Sequence, residues 1–265
     1  MKSRLALIVF VLLVVGIVGV ALAQLQTAQV APHEEGTKKI MYIESGEVLY
    51  NMHWQIDQVE KNNKKLLHYR MKGDNNKQGS ERIDWNEESM IEITDQGLRS
   101  QYWKKTSTGA EQMSWRLVYN WANRTVNYSF TDRATGKTDS KIIEFDANAI
   151  PGDCMELLLR GFPFEKGPGT RFTGQIIGSD GSLLGGHMIY RGEEVVQTTL
   201  GSIPAYKIEL KPTGALGLVA PDMFMWFAKK PPHVWLRFDG RDNGLTKPRT
   251  KTVLTHFKPA EYVAP

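Results

Sequence analysis

The stretch TVNYSFTDRATGKTDSKIIEF, residues 125–145, decides the fold class. Its first part alternates apolar and polar side chains with a period of two, so that Val126, Tyr128 and Phe130 share one face of a strand. The polar segment 132–138 follows, and its Gly136 can adopt the backbone conformation that a hairpin turn requires. Because residues 141–145 are again rich in β-forming side chains, the stretch predicts a β-hairpin.

The same stretch contains a tripeptide, Gly136-Lys137-Thr138, that matches the end of a phosphate-binding loop. Such a loop requires a glycine five residues before its second glycine, and this position is Thr131. A phosphate loop also joins a strand to a helix, whereas residues 141–145 carry no helix start signal. The sequence therefore excludes this nucleotide-binding motif and indicates an all-β protein.

Strict alternation recurs along the chain from Lys39 and predicts strands with one buried and one solvated face, as in antiparallel sheets. The predicted buried faces are Met52, Trp54 and Ile56; Met113, Trp115, Leu117, Tyr119 and Trp121; Tyr206, Ile208 and Leu210; and Val234, Leu236 and Phe238, the last set opposite Trp235 and Arg237. Turn-forming clusters of Gly, Asn, Asp and Pro separate these runs.

Helical signals are scarce in this sequence. Residues 153–160 predict one short helix, with Asp153 as its N-cap and Gly161 after its end. A weaker helical pattern covers residues 215–227, where a buried strand over 223–228 is the alternative. We therefore predict a mainly β fold: a long curved antiparallel sheet, either a half-barrel or an open barrel, with one or two short helices.

The N-terminus predicts an export signal. Lys2 and Arg4 precede the apolar run 5–23, which ends in Ala-Leu-Ala before Gln24. The run approaches the length of about 20 residues that spans a bilayer, so a retained signal anchor is the alternative to a cleaved signal peptide. We expect an exported, periplasmic protein, or one anchored at the inner membrane by residues 5–23. The predicted organisation is a signal peptide or anchor at 1–23, a polar linker at 24–38, a single β domain at 39–258 and a C-terminal tail at 259–265.

The amino-acid composition limits the kinds of partner that this protein could bind. The single cysteine, Cys154, excludes an internal disulfide framework, and its apolar neighbours indicate a buried thiol. The 33 basic and 29 acidic residues give a net charge of +4, which is spread along the chain. No nucleic-acid recognition motif is present. Lysine clusters could contact a membrane surface, although lysines that guard solvated turns and strand edges explain them better.

A search for catalytic motifs finds no nucleophile elbow and no histidine pair with metalloprotease spacing. His53 and His68 could meet across neighbouring strands, but they lack the ligand spacing of a metal site. Carboxylates are numerous, yet strand separation hides their mutual distances. We therefore predict no catalytic residues, no metal and no cofactor, and a protein that is not an enzyme.

Several stretches, in this order, also carry a family resemblance: residues 45–50 followed by Trp54; residues 150–153 before Leu157 to Arg160; residues 200–210; and Met225-Trp226-Phe227 before a proline and the strand 234–239. They resemble a family of exported bacterial proteins classed as a domain of unknown function, over about residues 40–257. The resemblance implies a half-barrel related in fold to periplasmic lipoprotein carriers, with a lipid-sized cavity. Family members usually place an aspartate where Ala228-Lys229-Lys230 stand here, so the register of the last hairpin stays open.

Aromatic residues on the predicted strands supply the candidate binding site, because a curled sheet can enclose a ligand as well as fill its own core. The candidate ligand-binding residues are Trp54, Trp115, Leu117, Tyr119, Tyr206 and Trp226.

The leading hypothesis is an envelope binding protein with an apolar cavity for a lipid, an acyl chain or a lipid-modified ligand. One alternative is a membrane-anchored scaffold that binds another envelope protein through a sheet edge. The other is a carboxylate-dependent hydrolase of glycans or cell wall.

Overall fold

The computed structural model describes residues 24–214, 222–241 and 248–263. The predicted signal sequence, residues 1–23, and the first part of the weaker predicted helix, 215–221, lie outside the described residues. Within the described ranges, no helix has both the length and the apolar character needed to cross a membrane.

In these ranges fifteen strands form one sheet, which confirms the predicted mainly β class. The strands are β1 (His33–Tyr42), β2 (Val48–Lys61), β3 (Lys64–Asp74), β4 (Ile83–Thr94), β5 (Gly97–Gly109), β6 (Met113–Asn120), β7 (Thr125–Asp132), β8 (Thr138–Glu144), β9 (Ile150–Pro151), β10 (Arg171–Ile177), β11 (Leu183–Thr198), β12 (Gly201–Pro212), β13 (Met223–Ala228), β14 (Trp235–Gly240) and β15 (Thr250–Lys258). The hairpin predicted at 125–145 is β7 and β8.

Strands that follow one another along the chain lie side by side in the sheet, apart from β8 and β9, which form its two ends. The first and last strands, β1 and β15, pair with each other in the middle of the sheet. Its order is β8-β7-β6-β5-β4-β3-β2-β1-β15-β14-β13-β12-β11-β10-β9, and neighbouring strands are antiparallel except β9 and β10. The two ends of the sheet approach each other without a shared strand ladder: Ile177 of β10 packs with Val126 and Tyr128 of β7. The sheet is therefore curved and open, as predicted.

One short helical segment, residues 152–161, lies against the inner face of the sheet. It consists of α1 (Met155–Leu158) between two 3-10 turns, Gly152–Cys154 and Leu159–Gly161, and it confirms the predicted short helix. Its apolar side chains, together with the buried thiol of Cys154, belong to the main hydrophobic core. The predicted N-cap is wrong, because the Asp153 side chain caps no backbone group and instead accepts hydrogen bonds from the sheet.

The predicted linker and tail boundaries are corrected by the structure. β1 begins at His33, so residues 33–38 belong to the sheet and not to a linker. Glu34 and Lys38 point inward with Gly36, and these two charges gave the strand the composition of a polar linker. At the other end, Val263 is buried in the core after a 3-10 turn, Ala260–Tyr262, so residues 259–263 are not a free tail.

The last hairpin has a bulge that changes which side chains face inward. Residues 223–228 form β13, the strand alternative of the sequence analysis. Trp226 pairs with Arg237, but the next residue, Phe227, pairs with Trp235. The extra residue between these pairs places Trp235 on the same face as Phe238, whereas strict alternation predicted opposite faces; that prediction is wrong.

A glycine in β1 makes room for a tryptophan of the inner face. Gly36 pairs with Trp54 of β2, and a Cβ atom at Gly36 would lie 2.7 Å from Cζ2 of Trp54 and 2.7 Å from the backbone oxygen of His256. Real Cβ atoms do not approach other atoms so closely, so the indole ring occupies the space above this glycine. Glycine at position 36 therefore leaves the space that the indole ring of Trp54 occupies.

We expect Gly36→Ala to destabilise the fold by about 1–3 kcal/mol, because it overpacks a fixed ring and a backbone oxygen. Gly186→Ala is the matched control: its Cβ would meet its nearest atom at an ordinary 3.4 Å, so its effect should stay within about 1 kcal/mol. Urea unfolding measures both effects. Equal stability of the two variants would contradict the close packing of Trp54 on Gly36.

Candidate functional site

A cavity of about 490 Å³ lies between the helical segment 152–161 and the inner face of the sheet. β1, β2 and β3 supply one wall, and the hairpin of β13 and β14 supplies another. The helical segment lies across this space and contributes residues from Gly152 to Leu157, together with Arg160. The cavity therefore exists because the helical segment does not pack directly against the whole of the sheet surface that it covers.

Most of the cavity lining is apolar. The apolar and aromatic residues are Ile40, Met52, Trp54, Ile56, Tyr69, Met71, Met155, Leu157, Ile176, Met225, Val234, Trp235 and Phe238. The Trp54 and Tyr69 rings meet edge to face, with centroids 6.2 Å apart. Burial raises the pKa of the Tyr69 phenol well above its usual value, so this ring is neutral and adds to the apolar wall.

A buried lysine stands among these aromatic residues. The Lys38 side chain is 5% exposed, and its Nζ atom lies 4.5 Å from the ring centroid of Trp235 and 5.6 Å from that of Trp54. The ammonium group donates a hydrogen bond to Glu156 of α1. Two aromatic faces and one carboxylate therefore hold a positive charge in the cavity wall.

A second ion pair ties the end of the helical segment to β1. Arg160 and Glu34 have side chains that are 3% and 0% exposed. Nη1 of Arg160 donates a hydrogen bond to Oε1 of Glu34 at 2.9 Å, and Nη2 lies 2.9 Å from Oε2, where the contact is an ion pair without a hydrogen bond. The Ala31 N–H also donates to Oε1 at 2.9 Å. This buried pair fixes the position of the segment against β1.

A third polar contact joins the start of the helical segment to three neighbouring strands. The Asp153 carboxylate accepts hydrogen bonds from Ser89 of β4 at 2.9 Å, Ser100 of β5 at 3.0 Å and Tyr119 of β6 at 3.1 Å. Burial of the carboxyl group against the sheet raises the pKa of Asp153 to about 6, although the three hydroxyl donors act in the opposite direction. Asp153 is therefore a buried acid that titrates close to neutral pH.

The structure brings one of the six predicted binding residues, Trp54, into the cavity wall. Tyr119 lies next to the cavity through its hydrogen bond to Asp153. Trp115 and Leu117 pack in a second hydrophobic cluster with β7. Tyr206 stacks on Phe164, with ring centroids 4.2 Å apart.

The sixth predicted residue, Trp226, lies on the face opposite to the cavity. Its register partner is Arg237, and the guanidinium carbon of that residue lies 4.9 Å from the ring centroid. Its indole N–H donates to Glu194 at 2.5 Å. Charged side chains on the outer face cover this ring, which explains how a tryptophan outside the cavity is nevertheless buried.

Sequence reasoning missed the charged residues that line the cavity: Lys38, Glu87, Asp153, Glu156, Arg160 and Arg241. A signal existed for the first, because Glu34, Gly36, Lys38 and Ile40 follow the period of two that marks one strand face. The charged side chains of Glu34 and Lys38 hid this period, because the inward face of a strand is usually apolar. For the helical segment no sequence pattern showed which carboxylate points to the sheet.

Among the described residues, no group of three or more His, Cys, Asp or Glu side chains could hold a metal ion. His53 and His68, which the sequence placed on neighbouring strands, are not register partners: His53 pairs with Lys72, and His68 pairs with Asp57. Nε2 of His68 instead lies 2.7 Å from Glu88 on β4. These histidines form part of the polar outer surface.

The raised pKa of Asp153 predicts a pH-dependent stability. Since the folded-state value of about 6 exceeds the ordinary 3.8, the contribution of this group is full below the ordinary value and is lost as the pH rises through 6. The loss between pH 4 and pH 7.5 should amount to about 2 kcal/mol of unfolding free energy. Asp153→Asn, which stays neutral, should remove this part of the pH dependence in urea unfolding.

Asp95→Asn, which removes an exposed carboxylate in the turn after β4, is the matched control and should keep the wild-type pH dependence. If Asp153→Asn showed the same change in stability with pH as the wild type, the buried carboxyl would not be the group that titrates.

Solved structures that are similar to this chain include the following three. A β-barrel-like protein of the domain family DUF1849 from Brucella abortus aligns with a TM-score of 0.49 and 5% sequence identity, over 88% of this chain and 98% of its own. A Bacteroides fragilis protein described as exported, with a YmcC-like fold, gives 0.35 and 10% identity, over 89% and 99%. A Parabacteroides distasonis protein described as a lipoprotein gives 0.35 and 11%, over 89% and 99%.

No curated protein matches this chain. The sequence profile of the family described as "Protein of unknown function (DUF3108)" matches residues 39–244. This match covers more than half of the chain and most of the region in which the sequence resembles an exported family of unknown function. The protein therefore belongs to the DUF3108 family.

Proposed function

We propose that this protein is a non-enzymatic binding protein of the cell envelope, which holds a lipid, an acyl chain or a lipid-modified ligand. The observation that carries the proposal is the cavity between the helical segment 152–161 and the inner face of the sheet. Its volume of about 490 Å³ lies within the range of roughly 300–1,000 Å³ that is typical of small-molecule sites.

The chemistry of the lining supports an amphipathic ligand. Apolar side chains of β2, β3 and β13, among them Ile56, Met71 and Met225, offer a surface for an acyl chain. Lys38 and Glu156 place charges in the same cavity, where a polar head could be bound. A site with a large apolar wall and few polar groups suits a ligand with one long apolar part and one polar end.

The buried polar groups of the site favour binding over catalysis. Arg160 is paired with Glu34, and Asp153 is held by three hydroxyl groups. A nucleophile or general base needs a partner that activates it towards a bound substrate. Here the partners of these groups lie in the sheet and hold the helical segment in place, which is a structural role.

A periplasmic location is part of this proposal. The predicted export signal at 1–23 supports it. Carriage or sensing of acyl compounds between membranes requires a protein that shields an apolar chain from water. The cavity meets this requirement.

A second candidate function rests on an edge of the sheet. β8 forms one end of the strand order, and its Ile142 side chain is 73% exposed. An open edge with an exposed apolar side chain can accept a strand of another protein. This candidate is the scaffold of the sequence analysis, and it predicts that the protein binds no acyl compound.

Filling the cavity tests the proposal. Met71 of β3 lines the cavity, and its neighbour Lys72 is exposed on the opposite face. We expect Met71→Trp to weaken acyl binding about tenfold or more, because the larger side chain occupies ligand space. Lys72→Trp, the matched control, should bind as the wild type does. The measurement is displacement of the neutral fluorophore N-phenyl-1-naphthylamine by palmitate and by hexadecanol.

Circular dichroism should show that both variants keep the β fold, and Ile176→Phe offers a second filling variant at the cavity wall. Failure of both palmitate and hexadecanol to displace the fluorophore from the wild type would refute the proposal. Equal binding by well-folded filling variants would show that the acyl chain lies elsewhere.

A further inference from the structure

We propose that the cavity selects ligands with an anionic head, a carboxylate or a phosphate, and that this head takes the place of the Glu156 carboxylate on the buried ammonium group of Lys38. The inference rests on the proposed function, since it names the class of ligand for the same cavity. Its central idea is an exchange of one anion for another on a cation that stays in place.

Lys38 is the fixed partner of the exchange. Alternation along β1 directs its side chain into the cavity, and only 5% of that side chain is exposed. Its ammonium group lies over Trp235 and near Trp54, at 4.5 Å and 5.6 Å from the ring centroids. Movement of this group to solvent would require it to leave both rings, so the positive charge stays in the cavity wall.

Glu156 is the partner that can leave. Its side chain is 35% exposed, although it belongs to the one-turn helix α1 that faces the sheet. The other ion pair of the segment differs, because Arg160 and Glu34 are 3% and 0% exposed and neither can reach water without rearrangement of the core. A rotation of the Glu156 side chain towards solvent costs little desolvation energy, since the group is already partly hydrated.

The charge balance then determines the ligand. A buried ammonium without an anionic partner is strongly unfavourable, so a ligand that displaces Glu156 must itself bring a negative charge. A neutral head leaves the Lys38–Glu156 pair intact and gains nothing from it. A cationic head meets the ammonium of Lys38 at the aromatic faces where it would otherwise bind. The geometry thus favours an anionic amphiphile over a neutral or cationic one of equal chain length.

Calorimetric titration of the full-length protein with palmitate, hexadecyl phosphate, hexadecanol and hexadecyltrimethylammonium tests this inference. In the wild type we expect the two anions to bind about tenfold tighter than the alcohol, a difference that one charge-assisted contact can supply. A preference for palmitate or for hexadecyl phosphate identifies which oxyanion suits the site, and either result supports the proposal.

Two variants separate the roles of the exchanged groups. Glu156→Gln removes the internal competitor and should strengthen the binding of both anions about tenfold, with no change for hexadecanol. Lys38→Met removes the cation and should lower the affinity for palmitate to that for hexadecanol. Glu165→Gln, at an exposed position after the helical segment, is the matched control and should change none of these affinities.

If Lys38→Met does not fold, Glu156→Gln decides the question alone, because the glutamine amide oxygen can still accept a hydrogen bond from the Lys38 ammonium group in the absence of ligand. Equal binding of palmitate and hexadecanol by both the wild type and Glu156→Gln would overturn the anion exchange and leave acyl binding intact. Weaker binding of palmitate by Glu156→Gln would also overturn it. Absence of binding by every C16 compound would instead refute the proposed function itself.

Discussion

The helical segment 152–161 is held inside the curved sheet by three polar contacts, and the cavity follows from their positions. Arg160 binds Glu34 and Glu156 binds Lys38, both on β1, whereas Asp153 is bound by hydroxyl groups of β4, β5 and β6. Because these anchors lie on separate parts of the curved sheet, the segment spans the concave face instead of sinking into it. The space between the anchors is lined by apolar residues of β2, β3, β13 and β14.

Polar anchors of this kind position an element more than they stabilise it. Burial of an ion pair costs desolvation free energy that the attraction between its charges only roughly offsets, but loss of one partner leaves a strongly unfavourable buried charge. An apolar one-turn helix could slide along an apolar sheet, whereas Arg160 and Asp153 each have one set of matching groups. The three contacts thus specify a single location for the segment and keep an apolar space beside it.

The alternation of apolar side chains predicted the class of fold because it reflects the pleat of each strand. It correctly predicted a hairpin within residues 125–145, which the structure contains as β7 and β8, and it placed Met52, Trp54 and Ile56 on one face. It failed where the pleat is interrupted or where a charge points inward. The bulge beside Leu236 turned Trp235 towards the cavity, and Lys38 gave β1 the composition of a linker. Asp153 looked like a helix cap because its partners come from strands 34 to 64 positions earlier, which local sequence cannot reveal.

The central claim is that the concave face holds a ligand, and native mass spectrometry tests it most directly. The protein would be exported to a bacterial periplasm, purified without detergent, and weighed before and after extraction with organic solvent. The account predicts a stoichiometric mass excess that extraction removes, with an anionic amphiphile in the extract. A protein that carries no excess mass, and that acquires none after incubation with palmitate and with hexadecanol, would contradict it.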